Sequence, residues 1–261
     1  MVPLTNSGGQ EPPANSPPSG HEPRAVKQRI LIIVPAYNEA GSLPGLLRSL
    51  QIECSACDVV VIDDGSTDAT RQCVADLARV ITLPCNLGIG GAVQTGLQVA
   101  LREDYDCALQ VDGDGQHPPR EVGKLLVALR ESGCDMVVGS RFRAEGGFKS
   151  TAPRRMGIRF FSLILSIICG TKITDPTSGF RVYNRRAIRL LAHTYSEDFP
   201  EVEALVVARR AGLRIVEIPV EMSERTTGKS SIGSFKSLIY MVKVPLAIFM
   251  TLLRKPEVGF K

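Results

Sequence analysis

Tryptophan is absent from the 261-residue chain and aromatic residues make up only 5% of it, so a core has to be built from Val, Ile, Leu and Ala. No window holds about 18 uninterrupted apolar residues, which argues against a membrane-spanning helix. Residues 1–27 carry almost no large apolar side chain. They lack the apolar centre of a secretory signal, and they bury too little surface to offset the entropy of ordering, so a disordered tail is expected there. The G-x-x-x-x-G-K-[ST] loop is missing, which excludes a P-loop NTPase. Asn86-Leu87-Gly88-Ile89-Gly90-Gly91 does not match G-x-G-x-x-G with a suitably spaced acid and follows the third predicted strand rather than the first. A Rossmann dehydrogenase is excluded on that ground. The seven cysteines are odd in number and scattered, and Cys54-x-x-Cys57 has neither a second pair nor a nearby His. They read as reduced thiols of a cytosolic protein, not as a zinc site, a redox pair or disulfide staples.

Charge is mildly basic, with a net +4 and a pI near 8.7. The Lys and Arg residues are not gathered into one run, so nucleic acid is not an expected partner. They thicken in the second half, at Arg141, Arg143, Arg154, Arg155 and Arg159, and again from Arg181 to Arg189. Such a face is either ordinary solvated surface or one that meets phosphate or an anionic membrane.

Order is expected from residue 28. Ile30-Leu31-Ile32-Ile33-Val34 is a short aliphatic run stopped by Pro35, as in a strand buried on both faces. Similar runs at 58–62, 80–83, 105–111 and 135–139 alternate with helical stretches ending near 50, 79, 102 and 132. That rhythm predicts an α/β fold, a single doubly wound domain over 28–233 with a mostly parallel sheet and helices on both faces. The second half departs from it, with predicted helices at 159–169 and 199–211 and a strand at 213–220. Residues 234–261 begin with an apolar stretch interrupted by Lys236, Lys243 and Pro245. It reads as a packing helix or as an interfacial helix on a cytoplasmic leaflet, anchored by Arg254 and Lys255.

In open parallel sheets, ligands bind beyond the carboxyl ends of the strands. Three polar clusters fall there: Pro35 to Glu39, Asp63 to Asp68, and Asp112 to Gln116. Asp112-Gly113-Asp114 places two carboxylates after a buried strand, where they can share one hard divalent cation, Mg²⁺ or Mn²⁺, and leave positions open for diphosphate oxygens. Gln116 can add a ligand. Asp63 to Asp68 serves as a helix cap or as a carboxylate on a ribose or base.

Taken together, Ile33-Val34-Pro35-Ala36-Tyr37-Asn38-Glu39, Asp63-Asp64-Gly65-Ser66-Thr67-Asp68, Asn86-x-Gly88, Asp112 to Pro118, Gly139-Ser140-Arg141 and Asp175 to Arg181 stand in one order. In that order they resemble family 2 inverting glycosyltransferases of the GT-A fold, in the branch of dolichol-phosphate and polyprenyl-phosphate sugar synthases. The resemblance spans residues 29 to about 235. It implies donor contacts at Pro35, Ala36, Tyr37, Glu39, Asp63, Asp64, Asn86, Gly88, Asp112, Gln116 and Ser230. It implies a metal site at Asp112, Asp114 and Gln116, and an acceptor-phosphate site at Arg141, Arg154, Arg155, Ser178 and Arg181. Catalytic roles fall to Asp114, to Glu203 as the acid near the sugar, and to Arg225 in a loop closing over the donor diphosphate. An arginine fork suits phosphate, and a loop with Gly228 suits a lid, although an exposed basic turn would look the same. Glu201, in the same helical turn as Glu203, reads as an acid favoured by the helix dipole.

The implied reaction moves a sugar from a GDP- or UDP-sugar to a lipid phosphate. The alternative is a saccharide or other hydroxyl acceptor, for which Glu203 would take the proton. Many synthases of this branch continue into transmembrane helices, whereas this sequence ends soon after Leu253. A cytoplasmic location with peripheral membrane contact is the corresponding expectation.

Overall fold

Strand β1 (Ile30–Ala36) lies at the middle of a seven-stranded sheet ordered β3-β2-β1-β4-β6-β5-β7. The computed structural model describes residues 28–142, 152–196, 198–223 and 234–253, with the backbone alone at 152–159 and 234–242. The other strands are β2 (Asp58–Asp63), β3 (Arg79–Thr82), β4 (Cys107–Gln110), β5 (Met136–Ser140), β6 (Arg181–Asn184) and β7 (Ile215–Pro219). All pair in parallel except β6, which runs antiparallel to both β4 and β5.

The alternation of side chains along β1 explains the two layers of helix. Leu31 and Ile33 join a core with α3 (Gly88–Arg102), α5 (Ala152–Cys169), α6 (Arg185–Thr194), α7 (Pro200–Arg210) and α8 (Ser234–Leu253). Ile32 and Val34 face a second core with α1 (Leu43–Glu53), α2 (Thr70–Val74) and α4 (Val122–Ser132). Every one of those four β1 side chains is at most 2% exposed. The doubly wound fold predicted from the aliphatic runs is the fold observed.

Four features differ from the sequence expectation. Strand β6 and helix α6, whose first turn is capped by the Asn184 side chain accepting from the Ala187 N–H at 2.9 Å, were not foreseen. Helix α2 stops at Val74, short of residue 79, because Arg79 already opens β3. Helix α5 begins at Ala152, before 159. Helix α8 runs through Pro245 without a break. It packs on α7, burying Val244, Ile248 and Thr251, while Leu246, Phe249 and Leu253 point outward. Among the described residues no helix is long and apolar enough to cross a membrane.

Candidate active site

Strands β2 and β4 flank β1 in parallel, so the segments leaving them emerge at one edge, roughly 10 Å apart with β1 between. The Asp64 N–H donates to the Ala36 carbonyl at 2.9 Å, and the Gly113 N–H to the Pro35 carbonyl at 3.3 Å. Asp64 and the Asp112–Asp114 turn are therefore fastened to consecutive carbonyls of the β1 tip.

The first lobe of this edge is braced by side chain to backbone bonds. Asn38, held at φ 56°, accepts on Oδ1 from the N–H groups of Thr67 and Asp68 at 2.9 and 3.3 Å. The Asn38 N–H donates to Ser66 Oγ at 3.0 Å and the Glu39 N–H to Thr70 Oγ1 at 2.8 Å. Asp63 spends Oδ1 on the Ser66 N–H at 3.0 Å, closing its own turn. Asp64 Oδ1 accepts from the Leu87 N–H at 2.7 Å, which ties in the loop before α3. Burial pushes the Asp64 carboxyl above its ordinary range, while the N–H groups of Leu87 and Gly88 pull it back. Gly65 sits at φ +69° with room for no Cβ, because the Cys85 carbonyl carbon would lie 3.0 Å away. Asn86 Oδ1 accepts from the Gly88 N–H at 3.1 Å, and Glu39 Oε2 from Ser42 Oγ at 2.6 Å. Pro35 and Ala36 are buried, whereas the Tyr37 ring stands 45% exposed at the rim, where a flat base can stack on it.

The carboxylate pair is oriented from beneath. Gln110, fully buried at the end of β4, donates from Nε2 to Asp112 Oδ1 at 3.0 Å. The Asp112 N–H donates to His117 Nδ1 at 3.0 Å, and His117 stacks on Phe180 with ring centroids 4.8 Å apart. Asp114 Oδ1 accepts from the Gln116 N–H at 3.0 Å, and the Gln116 carbonyl accepts from the Ser223 N–H at 3.0 Å. Gly179 lies against Asp112, since a Cβ there would meet both of its carboxylate oxygens at 2.9 and 3.0 Å. Asp112 and Asp114 supply hard oxygen donors, but the described residues contain no group of three metal-ligating His, Cys, Asp or Glu side chains. Two carboxylates fit a Mg²⁺ or Mn²⁺ that completes its shell with water and substrate oxygens, and would not make a closed structural site.

The arginines divide into two kinds. Arg141, just past β5, is held by Asp175 through Nε at 2.7 Å and Nη2 at 2.8 Å. Its guanidinium also lies within electrostatic reach of Asp112 and Glu201. Burial pulls the Arg141 pKa down, but the hydrogen bond and charge of Asp175, with the charges of Asp112 and Glu201, leave it raised. Arg181 is different: it is 0% exposed, and its donors go to the carbonyls of Ser178, Pro176 and Glu201 at 2.7, 3.1 and 2.7 Å. The acceptor-phosphate contact expected of Arg181 gives way to a scaffold role, because its guanidinium already ties the 176–178 loop to α7. Ser178, 1% exposed, likewise turns inward and accepts the Phe180 N–H at 3.3 Å.

The two acids of α7, between which the sequence leaves the choice of site acid open, have different surroundings. Glu203 is buried and holds two hydroxyls, Ser196 Oγ at 2.8 Å and Thr251 Oγ1 of α8 at 3.0 Å. It joins α7 to α8 through Thr251. Glu201 is the acid coupled to Asp112 and Arg141, and desolvation raises its pKa against the pull of Arg181. Arg225 and Ser230 lie outside the described residues, and Arg154 and Arg155 fall in the first turn of α5, where the side chains are outside them too.

Three contributors escaped sequence reasoning: Gln110, Asp175 in its clamping role, and Glu217. Gln110 and Glu217 each interrupt an aliphatic strand run, Ala108-Leu109-Gln110-Val111 and Ile215-Val216-Glu217-Ile218, and that interruption was the available signal.

Comparison with known proteins accords with this geometry. The model of the family described as "Glycosyl transferase family 2" matches residues 31–191, more than half of the chain. Polyprenol monophosphomannose synthase of Mycolicibacterium smegmatis is 30% identical over 239 residues, covering 87% of this chain and 90% of its own. Undecaprenyl-phosphate mannosyltransferase of Micrococcus luteus is 36% identical over 216 residues, covering 78% and 88%. Glucosyl-3-phosphoglycerate synthase of Mycobacterium tuberculosis, crystallised with Mn²⁺, UDP and glucosyl-3-phosphoglycerate, shares the fold with a TM-score of 0.63 at 18% identity over 92% of this chain and 88% of that one. The chain thus belongs to glycosyl transferase family 2 and is a glycosyltransferase of the GT-A fold, similar to the polyprenyl-phosphate sugar synthases.

Proposed function

We propose that this enzyme moves a sugar from a nucleoside-diphosphate donor to the phosphate of a polyprenyl or dolichyl lipid. One observation carries the reading: the Arg141 guanidinium is locked by Asp175, through Nε at 2.7 Å and Nη2 at 2.8 Å, just past β5, which stands next but one in the sheet to β4, whose tip leads into the acidic turn. A cation fixed beside a site for a donor diphosphate suits an acceptor that is itself a phosphate. The names of the relatives support the same acceptor class, and the two mannosyltransferases put mannose first among donor sugars to try.

In this reading the nucleoside rests against Pro35, Ala36, Tyr37 and Glu39, with Asp63 and Asp64 shaping the far wall and Asn86 and Gly88 its rim. Asp112, Asp114 and Gln116 hold Mg²⁺ or Mn²⁺, which when bound supplies positive charge for the departing diphosphate. Arg225 and Ser230 belong to the loop that closes over the donor. Arg141, joined by Arg154 and Arg155, receives the acceptor phosphate. That phosphate is already ionised and needs no general base. Its oxygen forms the new bond to the anomeric carbon as the bond to the donor diphosphate breaks, and configuration inverts. Glu201 is assigned the role of accepting a hydroxyl of the transferred sugar.

The lipid chain of such an acceptor needs a membrane beside the site. Phe160, Leu163 and Ile167 on α5 are 46, 61 and 73% exposed, and Leu246, Phe249 and Leu253 on α8 are 58, 56 and 64% exposed. Both sets repeat at i, i+3 and i+7, one apolar stripe on each of two helices that pack on α7. We assign these stripes to peripheral contact with the cytoplasmic face of a membrane.

The test is direct. Purified enzyme is offered a panel of GDP- and UDP-sugars with a short polyprenyl phosphate and Mg²⁺ or Mn²⁺, and organic-extractable sugar is counted. Sugar appearing in the lipid phase with one donor is the expected result. Transfer only to water or to saccharides, with polyprenyl phosphate ignored, overturns the reading.

A further inference from the structure

Arg141 is the visible end of a chain of contacts that begins on the last strand of the sheet. Glu217, on β7 and 5% exposed, accepts from the Thr174 N–H at 2.8 Å, from Thr174 Oγ1 at 2.7 Å and from the Asp175 N–H at 2.7 Å. These bonds seat Asp175, which is 0% exposed. Asp175 then takes three donors of one residue: the Arg141 N–H at 3.1 Å, Nε at 2.7 Å and Nη2 at 2.8 Å. Thr177 Oγ1 completes the seat by accepting from Arg141 Nη2 at 3.1 Å.

The physical consequence concerns freedom. An arginine side chain has many rotamers, and part of that freedom is lost each time it captures a ligand. A bidentate carboxylate removes that freedom beforehand and fixes the plane of the fork. It also settles a competition. Arg141 feels the charges of both Asp112 and Glu201, whereas its direct bonds go to Asp175. A buried Asp175 outbids both, because its charge has no water to lean on.

We propose that Asp175 is a positioning residue for acceptor binding, with Glu217 as its anchor: it holds Arg141 aimed at the acceptor phosphate and keeps it off the donor-side carboxylate Asp112. The proposal rests on the acceptor reading of Arg141 given above. It assigns work to the Asp175-Pro176-Thr177 segment that a merely packing loop would not do.

Steady-state kinetics with polyprenyl phosphate and the donor varied separately decide it. For Asp175→Asn, which keeps volume and loses charge, kcat/KM for the acceptor is expected to fall roughly ten- to hundredfold, the range for one hydrogen bond to a charged group. The donor KM is expected to stay within about threefold, because no donor contact is touched. Thr177→Ala, a milder change that keeps the carboxylate, is expected to shift the acceptor KM alone by a few-fold. Should Asp175→Asn fail to fold, Thr177→Ala and Glu217→Gln carry the same test. A variant that lowers kcat with both KM values unchanged, or raises both equally, overturns the positioning role. If the unmodified enzyme makes no lipid product at all, the acceptor reading falls and this inference with it. If the unmodified enzyme works and the acceptor KM of Asp175→Asn is unmoved, only this inference falls.

Discussion

Gly179→Ala adds one carbon where the structure has no room. The new Cβ would stand 2.7 Å from Gln110 Nε2 and 2.9 and 3.0 Å from the two oxygens of Asp112. Relaxed contacts of this kind begin near 3.5 Å, so something must retreat by about half an ångström or more. Gln110 is 0% exposed and locked in the core, whereas the Asp112 side chain is 26% exposed and has solvent to move into. Asp112 can swing into solvent, but its retreat leaves the 2.7 Å contact with Gln110 Nε2, so the buried amide must shift too and the 3.0 Å bond between them is lost. Overpacking of this kind costs about 1–3 kcal/mol. That predicts a melting temperature about 2–12 °C lower, at roughly 2–4 °C per kcal/mol for a domain of this size. Metal binding should suffer as well, because disturbing the support of a metal-binding carboxylate typically costs about ten- to a hundredfold in metal affinity. The assay is the rate of sugar transfer against Mg²⁺ or Mn²⁺ concentration, run beside thermal unfolding. The ion concentration at half-maximal rate should rise by roughly tenfold or more in protein still fully folded at the assay temperature. An unchanged ion requirement, whatever the melting temperature, would refute the claim that Gly179 and Gln110 set the carboxylate.

Glu201→Gln and Glu203→Gln should separate cleanly: the first lowers transfer with little loss of stability, and the second costs about 1–3 kcal/mol by unseating Ser196 and Thr251 while sparing chemistry; reversed outcomes would return the site role to Glu203. The raised pKa of Glu201 means the folded carboxyl keeps its proton at a pH where the unfolded chain has released it. Stability from this group is thus present below the ordinary carboxylate range and is lost as pH rises through the raised value, so Glu201→Gln should flatten the fall in melting temperature across that mildly acidic window, and parallel curves for the two proteins would speak against it. Arg181→Met leaves the carbonyls of Ser178, Pro176 and Glu201 without their buried donors and should cost several kcal/mol at about 1–3 each; a near-normal denaturant midpoint would show that Arg181 is not the scaffold its burial implies.

How far the sequence could be read depended on how local each feature is. Strands β1, β2 and β4 were legible because each is an aliphatic run punctuated at or just past its end: Pro35, the Asp63-Asp64 pair, Asp112. The gathering of those ends at one edge followed from parallel pairing alone. The partners of the site residues were not legible. Glu203 finds Thr251 across 48 positions and Asp175 finds Glu217 across 42, and no local pattern announces either. Glu201 and Glu203 lie two apart on a helix, about 200° around its axis, so one must face away from the site. The sequence does not say which, and in the structure Thr251 of α8 holds Glu203.

The strand that escaped prediction explains why the rest was hidden. β6 is only four residues long and opens with a charge, Arg181, that reads as surface but is absorbed by carbonyls. It pairs antiparallel with β4, Gln110 opposite Arg181, so continuing the register by two residues sets Asp112 opposite Gly179. It also pairs antiparallel with β5, Val138 opposite Arg181, so continuing by three sets Arg141 opposite Ser178. One short segment, Asp175 to Phe180, therefore runs between the tip that carries the acidic pair and the tip that carries Arg141. A parallel strand in that place would have delivered its far end to this edge, with neither Gly179 to admit Asp112 nor Asp175 to clamp Arg141. The reversal of a single strand is what puts a spacer of fixed width between the carboxylate and the arginine.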